Sequence, residues 1–182
     1  MTKRIALLMF LLVGAMGFSN DLFAQKFGSI DKSPMDMVYL REGGRQGEPI
    51  ARVIYSRPMK KDREVFGKLV PYGKVWRTGA NEATEVTFYK DVKLGDQDVK
   101  AGTYSLFTIP NEKEWTIILN KDVNQWGAYS YKEANDVTRV SVPVTEGDES
   151  LEAFSIAFDQ KKEGDVMVMG WDKTRVAVPI TK

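Results

Sequence analysis

Trp76-Arg77-Thr78-Gly79-Ala80-Asn81-Glu82-Ala83-Thr84 packs more hydrogen-bonding side chains between two apolar segments than any other stretch of the chain. Arg77 carries five N–H donors in a planar fork, Asn81 two donors and an acceptor, and Glu82 two acceptor oxygens. Converging on a cleft, these groups would orient a polyol, a carboxylate or a peptide by bidentate contacts. The competing arrangement is a self-satisfied loop: Arg77 paired with Glu82 or Glu85, Asn81 capping its own backbone, and Thr78 and Thr84 closing a turn. Gly79 is read as the position of positive φ that lets the loop turn.

A second constellation is Trp126-Gly127-Ala128-Tyr129-Ser130-Tyr131. Aromatic side chains on a loop offer rigid apolar faces with polar tips, suited to a sugar ring or a peptide side chain. Trp76, Trp115 and Trp171 read instead as core, following the burial habit of large aromatics. Arg57 precedes Pro58, which holds it extended. Its guanidinium would then stand beside Arg77 as a second cation for an anionic ligand, or pair with Glu64 at the surface.

What the chain lacks is equally informative. It has no His and no Cys, which removes Ser-His and Cys-His nucleophilic couples, His- or Cys-based zinc sites and thiol redox chemistry. No metal site and no cofactor is expected; Asp96-Gln97-Asp98 lacks the further ligands, Gly and Glu of a calcium loop and reads as a hairpin tip. The carboxylate candidate for acid-base work is Glu82, with Glu85 near it in sequence. Lys and Arg number 26 against 25 Asp and Glu, and no basic stripe of the kind that binds nucleic acid is present. The densest basic group, Lys60-Lys61-Asp62-Arg63, is interrupted by acids and reads as a solvated turn.

The elements that must position these residues come after an export signal. Lys3 and Arg4, an apolar stretch over 5–13 and small or polar residues up to Ala24 follow the order of a secretory signal peptide. The stretch is too short to span a bilayer, which takes about 20 residues, so no membrane span is expected after cleavage. Cleavage after Ala24 would leave Gln25 first, with Ser19 as the competing site. Without Cys there is no lipobox, so the protein is not read as a lipoprotein. Periplasm is the preferred compartment over secretion to the outer surface. Loss of 1–24 removes Lys3, Arg4 and Asp21 and leaves the charges in balance.

Residues 25–182 are the size of one domain with one core. Period-two alternation places strands at 37–41, 50–55, 85–89, 102–109, 115–120, 138–143, 151–159, 165–171 and 174–179. The expected fold is all-β: an antiparallel β-sandwich or partly closed barrel of about nine strands. Short helices are read at 63–70 and 129–136. Hairpins are read across 110–114 and across Asp172-Lys173.

Ser56-Arg57-Pro58, the run from Val65-Phe66-Gly67 through Pro71-Tyr72-Gly73 to Trp76-Arg77-Thr78-Gly79-Ala80-Asn81-Glu82-Ala83-Thr84, Ala101-Gly102-Thr103-Tyr104-Ser105-Leu106-Phe107, Trp115-Thr116-Ile117-Ile118-Leu119-Asn120-Lys121 and Trp126-Gly127 succeed one another along the chain. Together they resemble the bacterial domain-of-unknown-function family numbered 2911, common in exported proteins of the Bacteroidota. The resemblance covers nearly all of the chain after the signal and implies an extracytoplasmic β-rich domain. It supplies no activity, substrate or catalytic residue. Lys60-Lys61-Asp62-Arg63 departs from the family pattern, which has a Gly-Arg pair there.

The leading functional expectation is a binding or structural module, its ligand a small polar molecule, a glycan or a peptide, with Arg57, Trp76, Arg77, Asn81, Glu82, Trp126 and Tyr129 as candidate contacts. The alternatives are a carboxylate-dependent hydrolase using Glu82 with Arg57 and Arg77, and a structural domain that docks another exported protein along an edge strand.

Overall fold

Alternation of buried and exposed side chains is visible directly in the strands: β3 (Thr84–Phe88) buries every second residue, and the end of β9 (Gly164–Thr181) buries Val176, Val178 and Ile180 between exposed neighbours. The computed structural model describes residues 27–161 and 164–182. The chain divides into two units, Met1–Ile30 and Asp31–Lys182. Of the first, 27–30 are described, as exposed irregular chain. The expected signal peptide and its Ala24–Gln25 cleavage site lie outside the described residues.

The second unit is built from β1 (Met35–Arg41), β2 (Pro49–Ser56), β3, β4 (Val92–Leu94), β5 (Gln97–Val99), β6 (Gly102–Pro110), β7 (Glu114–Asn120), β8 (Asp136–Lys161) and β9. All pairings are antiparallel, in the order β1-β2-β3-β6-β7-β8-β9-β4-β5, and the sheet is not closed into a barrel. Inward residues from its two halves, such as Val53, Val86, Trp115 and Ile117 on one side and Phe154, Met169, Trp171 and Val178 on the other, meet in one hydrophobic cluster. The fold is therefore all-β and sandwich-like, as the alternation implies.

Strand boundaries differ from the sequence expectation in two ways. No hairpin forms at Asp172-Lys173. β9 runs through these residues and stays paired with β8 on both sides, Ser155 to Gly170 before and Glu146 to Thr174 after. A two-residue hairpin loop of the commonest type needs positive φ at both positions, and here Asp172 alone has it, at 51°. The result is a bend matched by register shifts in β8 between Glu146 and Ser155. Arg175 satisfies the carbonyls that this irregularity frees: Nη1 donates to Asp172 O at 2.7 Å and Thr174 O at 2.9 Å, and Nη2 to Glu149 O at 2.7 Å. Gly147 and Gly170 make room for it, since a Cβ on either would lie 2.8 Å from its side chain. The segments 138–143 and 151–159 are likewise one strand, β8. Conversely β4 and β5, three residues each, pair around Gly95-Asp96.

The expected helix over 63–70 is absent. Gly67 adopts φ +91°, its N–H donates to Val70 O, and Phe66 is drawn into the core against Trp76, Trp115 and Trp171. The expected helix over 129–136 is reduced to one 3₁₀ turn, Glu133–Asn135. The hairpin of β6 and β7 forms as expected, with Pro110 opposite Trp115.

One feature of this sheet positions the site. β6 and β7 are buried on both faces: Phe107 and Ile118 point away from the main core and are covered by Val75, Ala83, Ala128 and Tyr131. Ala83 belongs to the polar run, which Val75 immediately precedes, and Ala128 and Tyr131 belong to the aromatic loop. Both loops thus lie across the same outer face.

Candidate functional site

The polar run is an excursion from a strand. Trp76 pairs with Thr108 of β6 and Thr84 pairs with Leu106, only two residues away, so the seven residues between are extruded from the sheet. Its base is closed by Thr84 N–H donating to Arg77 O at 3.1 Å. The groups that hold it are the hydroxyls and the indole. Thr78 Oγ1 bonds Trp76 O and Thr108 Oγ1, Thr84 Oγ1 donates to Thr78 O at 2.6 Å, and Trp76 Nε1 donates to Gly79 O at 3.1 Å. Thr78 is fully buried with φ 54°, a strained backbone for a β-branched residue that this network over-determines. Positive φ in the loop falls on Thr78 and Asn81, and the expectation that Gly79 supplies it is corrected. Glycine is required at 79 for space: a Cβ there would lie 2.9 Å from Ser56 O and 3.2 Å from Thr84 Oγ1.

The aromatic loop is laid alongside. Ala83 N–H donates to Gln125 O at 2.8 Å and Gly127 N–H to Asn81 O at 3.1 Å, which makes Glu82 and Trp126 a directly opposed antiparallel pair. Their own amides are not part of the two bonds. Such a pair has its side chains on one face with Cβ atoms about 4.5–5.5 Å apart. Glu82 is exposed, Trp126 is 63% exposed and Tyr129 84% exposed. Gly127, at φ +67°, lies under the Tyr129 ring, where a Cβ would come within 2.8 Å, and 3.7 Å from Arg77 Nη1. The loop's roots are fixed by a part-buried polar network. Asn120 Nδ2 donates to Lys132 O and Asp136 Oδ1, Tyr131 Oη to Asp136 Oδ2, and Asn135 Nδ2 to Asp122 Oδ2. Burial and the Asp136 carboxylate push the Tyr131 phenol up, so it stays the donor of that bond. The exposed rings therefore stand on a braced base.

On the other side of the run is a cleft of about 330 Å³ whose lining includes Ser33, Arg63, Trp76, Arg77, Asn81 and Trp171. Asn81 Nδ2 donates to Asp31 Oδ1 at 3.2 Å; with the Ser33 backbone N–H, which is the larger influence, it holds the Asp31 carboxyl below its ordinary value. Arg77 forms no ion pair and no side-chain hydrogen bond among the described residues, and its Nε is buried without an acceptor. Leaving a buried donor unpaired costs roughly 1–3 kcal/mol. Neither Glu82 nor Glu85 provides that acceptor: Glu85 Oε1 takes the Asn124 N–H at 2.6 Å.

A family model described as "Protein of unknown function (DUF2911)" matches residues 33–180. The chain belongs to this family. No curated protein and no solved structure matches it. The matched span of this DUF2911 domain contains both loops and eight of the strands in full, together with all but the last residue of β9.

Not every candidate residue joins the loops. Arg57 is a strut of the DUF2911 domain: Nε donates to Phe154 O, Nη1 to Asp36 Oδ2 at 3.0 Å and Nη2 to Ser155 Oγ at 2.7 Å, tying β1 to β8. The expected juxtaposition with Arg77 is replaced by one with Arg63, which lines the same cleft as Arg77. Trp76 is 9% exposed and belongs to the core cluster, presenting only part of itself to the cleft. Arg63, Ser33 and Trp171 were not singled out from the sequence as contacts. The sequence signal for Arg63 is the basic group at 60–63, whose Lys61 and Asp62 both adopt positive φ. Among the described residues no group of three or more metal-ligating side chains occurs, and no helix is long and apolar enough to cross a membrane.

Proposed function

We propose that this domain is an exported glycan-binding module, in which a sugar ring stacks on Trp126 while Glu82 accepts hydrogen bonds from its hydroxyls. The observation that carries the reading is the directly opposed Glu82–Trp126 pair, with an exposed indole and an exposed carboxylate on one face. An indole offers a flat apolar surface to the C–H face of a pyranose, and a carboxylate offers two acceptors at its rim. Tyr129, more exposed still, extends the platform. Because the loops are braced at both roots, little ordering remains to oppose binding.

The test is titration of a panel of neutral oligosaccharides, followed by tryptophan fluorescence and calorimetry. Trp126→Ala abolishes binding, Trp126→Phe weakens it, and Glu82→Gln reduces it several-fold. Unchanged affinity in Trp126→Ala would sink the reading, as would a panel with no binder. The hydrolase reading draws on one observation, that Glu82 and Glu85 line a common recess of about 200 Å³. It requires Glu82→Gln to retain binding and lose turnover. Export to the periplasm rests on the order of charges and apolar residues over 1–24, and N-terminal sequencing of the mature protein should find Gln25 first.

A further inference from the structure

We propose that the cleft between the 60–70 segment and the polar run is an anion site, in which Arg77 and Arg63 hold a carboxylate or phosphate oxyanion against the indoles of Trp76 and Trp171. It adjoins the Trp126 platform without sharing its exposed face: Asn81 lines the cleft while Glu82, the next residue, is opposed to Trp126, and Arg77, which lines the cleft, brings Nη1 to 3.7 Å from where a Cβ on Gly127 would lie. Its lining includes two arginines and no Asp or Glu. Arg57 and Arg139 are paired with carboxylates, whereas Arg63 and Arg77, like Arg41, Arg45, Arg52 and Arg175, have no such partner among the described residues; what sets this cleft apart is that its two arginines share a wall with Trp76 and Trp171. Arg63 is fixed by its own loop, Nε donating to Lys60 O at 2.9 Å and Nη2 to Met59 O at 2.6 Å, so its charge is held in place without being neutralised. Arg77 has a buried Nε with no acceptor. Planar guanidinium forks match the oxygens of carboxylate and phosphate, and a partly apolar wall strengthens the attraction by displacing water. The Asn81 amide, already donating to Asp31, adds a polar group at the rim.

Inorganic phosphate and D-glucuronate serve as probes at constant ionic strength, with D-glucose as the neutral control, and binding is followed by amide chemical shifts and calorimetry. Phosphate, glucuronate or both bind, and which of them binds more tightly names the source of the oxyanion. Arg77→Gln weakens binding about tenfold or more, Arg77→Lys by less, and Arg63→Gln several-fold, because one fork carries more donors than one ammonium. Trp126→Ala leaves anion binding unchanged, which separates this site from the platform. The proposal is overturned if neither anion shifts the amides of 63, 77 and 81, or if Arg63→Gln and Arg77→Lys both bind as the wild type does. Arg63 is exposed and Arg77→Lys preserves the charge, so these two variants decide the matter even where Arg77→Gln fails to fold.

Discussion

The four tryptophans divide three to one. Trp76, Trp115 and Trp171 meet Phe66 and Phe154 in one aromatic cluster, with ring centroids 4.8 to 6.2 Å apart and mostly edge-to-face. Trp126 stands in solvent beside Tyr129. The run 76–84 belongs to both regions: its first residue is a wall of the cluster, and Glu82 is opposed to Trp126. The difference shows where rigidity is made and where it is used. Edge-to-face rings inside a core are worth about 0.5–1.5 kcal/mol per pair beyond their burial, and they fix the root of a loop whose tip is left free of apolar obligations.

Removing a ring from the cluster is the most severe way to break this contrast. Trp171→Ala should lose about 3–5 kcal/mol, read as a shift of the chemical denaturation midpoint with unchanged slope. At this domain size that corresponds to a fall in Tm of roughly 6–20 °C. A loss below 1 kcal/mol would mean that the cluster does not hold the loop.

Gly79→Ala acts at the junction of the two regions. Its Cβ meets backbone, Ser56 O at 2.9 Å, which cannot rotate away. The expected cost is about 1–3 kcal/mol, as for overpacking of a core, accompanied by weakened ligand binding because Thr78 and Asn81 must move. Stability unchanged, with melting curves superimposable on the wild type, would show that the loop has slack.

How much of this was legible in the residues depends on length scale. Alternation marked β1, β2 and β3, and the longer apolar runs rich in β-branched and aromatic residues marked β6 and β7, which are buried on both faces. Alternation failed where a strand bends. Asp172 interrupts the pattern of β9, and only Arg175, by bonding the freed carbonyls, shows why the strand continues. It also failed for β4 and β5, since three residues carry no period. Within the polar run, the closing of the turn by Thr78 and Thr84 is legible in the residues, whereas the pairing of Arg77 with Glu82 or Glu85 does not form. Thr78, Thr84 and the Trp76 indole bind the loop, and Arg77 is released from that duty. The choice between Arg57 and Arg63 as a neighbour of Arg77 depends on contacts about 100 residues apart in sequence, such as Arg57 with Phe154 and Ser155, which no local pattern records.

A third, smaller effect comes from acid. Asp172 sits at the bend, bonded to Lys60 at 2.6 Å and to Ser150, and these bonds, the Lys60 one foremost, hold its carboxyl below the ordinary 3.8. A depressed folded value means that the stabilisation is present in full above the unfolded value and disappears as pH falls through the folded one. For a pair about a quarter to a third exposed, it amounts to about 1 kcal/mol or less. Asp172→Asn, in which Asn tolerates the positive φ, should therefore melt slightly below the wild type at pH 7. The gap should close below about pH 3.8, the carboxyl's ordinary value. A gap that persists at low pH would assign the effect to the bend and not to the ion pair.

The smallest expected effect on stability sharpens the comparison most. Trp126 is the same side chain as Trp171, yet truncating it removes surface that is already in water. Trp126→Ala should change stability by no more than about 0.5 kcal/mol, with the Tyr131–Asp136 bond and the Asn120 contacts still holding the loop's base. An indole kept exposed, on a loop braced from beneath, contributes little to folding and much to whatever it touches. A large loss of stability in Trp126→Ala would place the ring in the core's service and remove the reason for treating it as a platform. A neutral melting curve together with lost glycan binding would show that the fourth tryptophan is there for a partner.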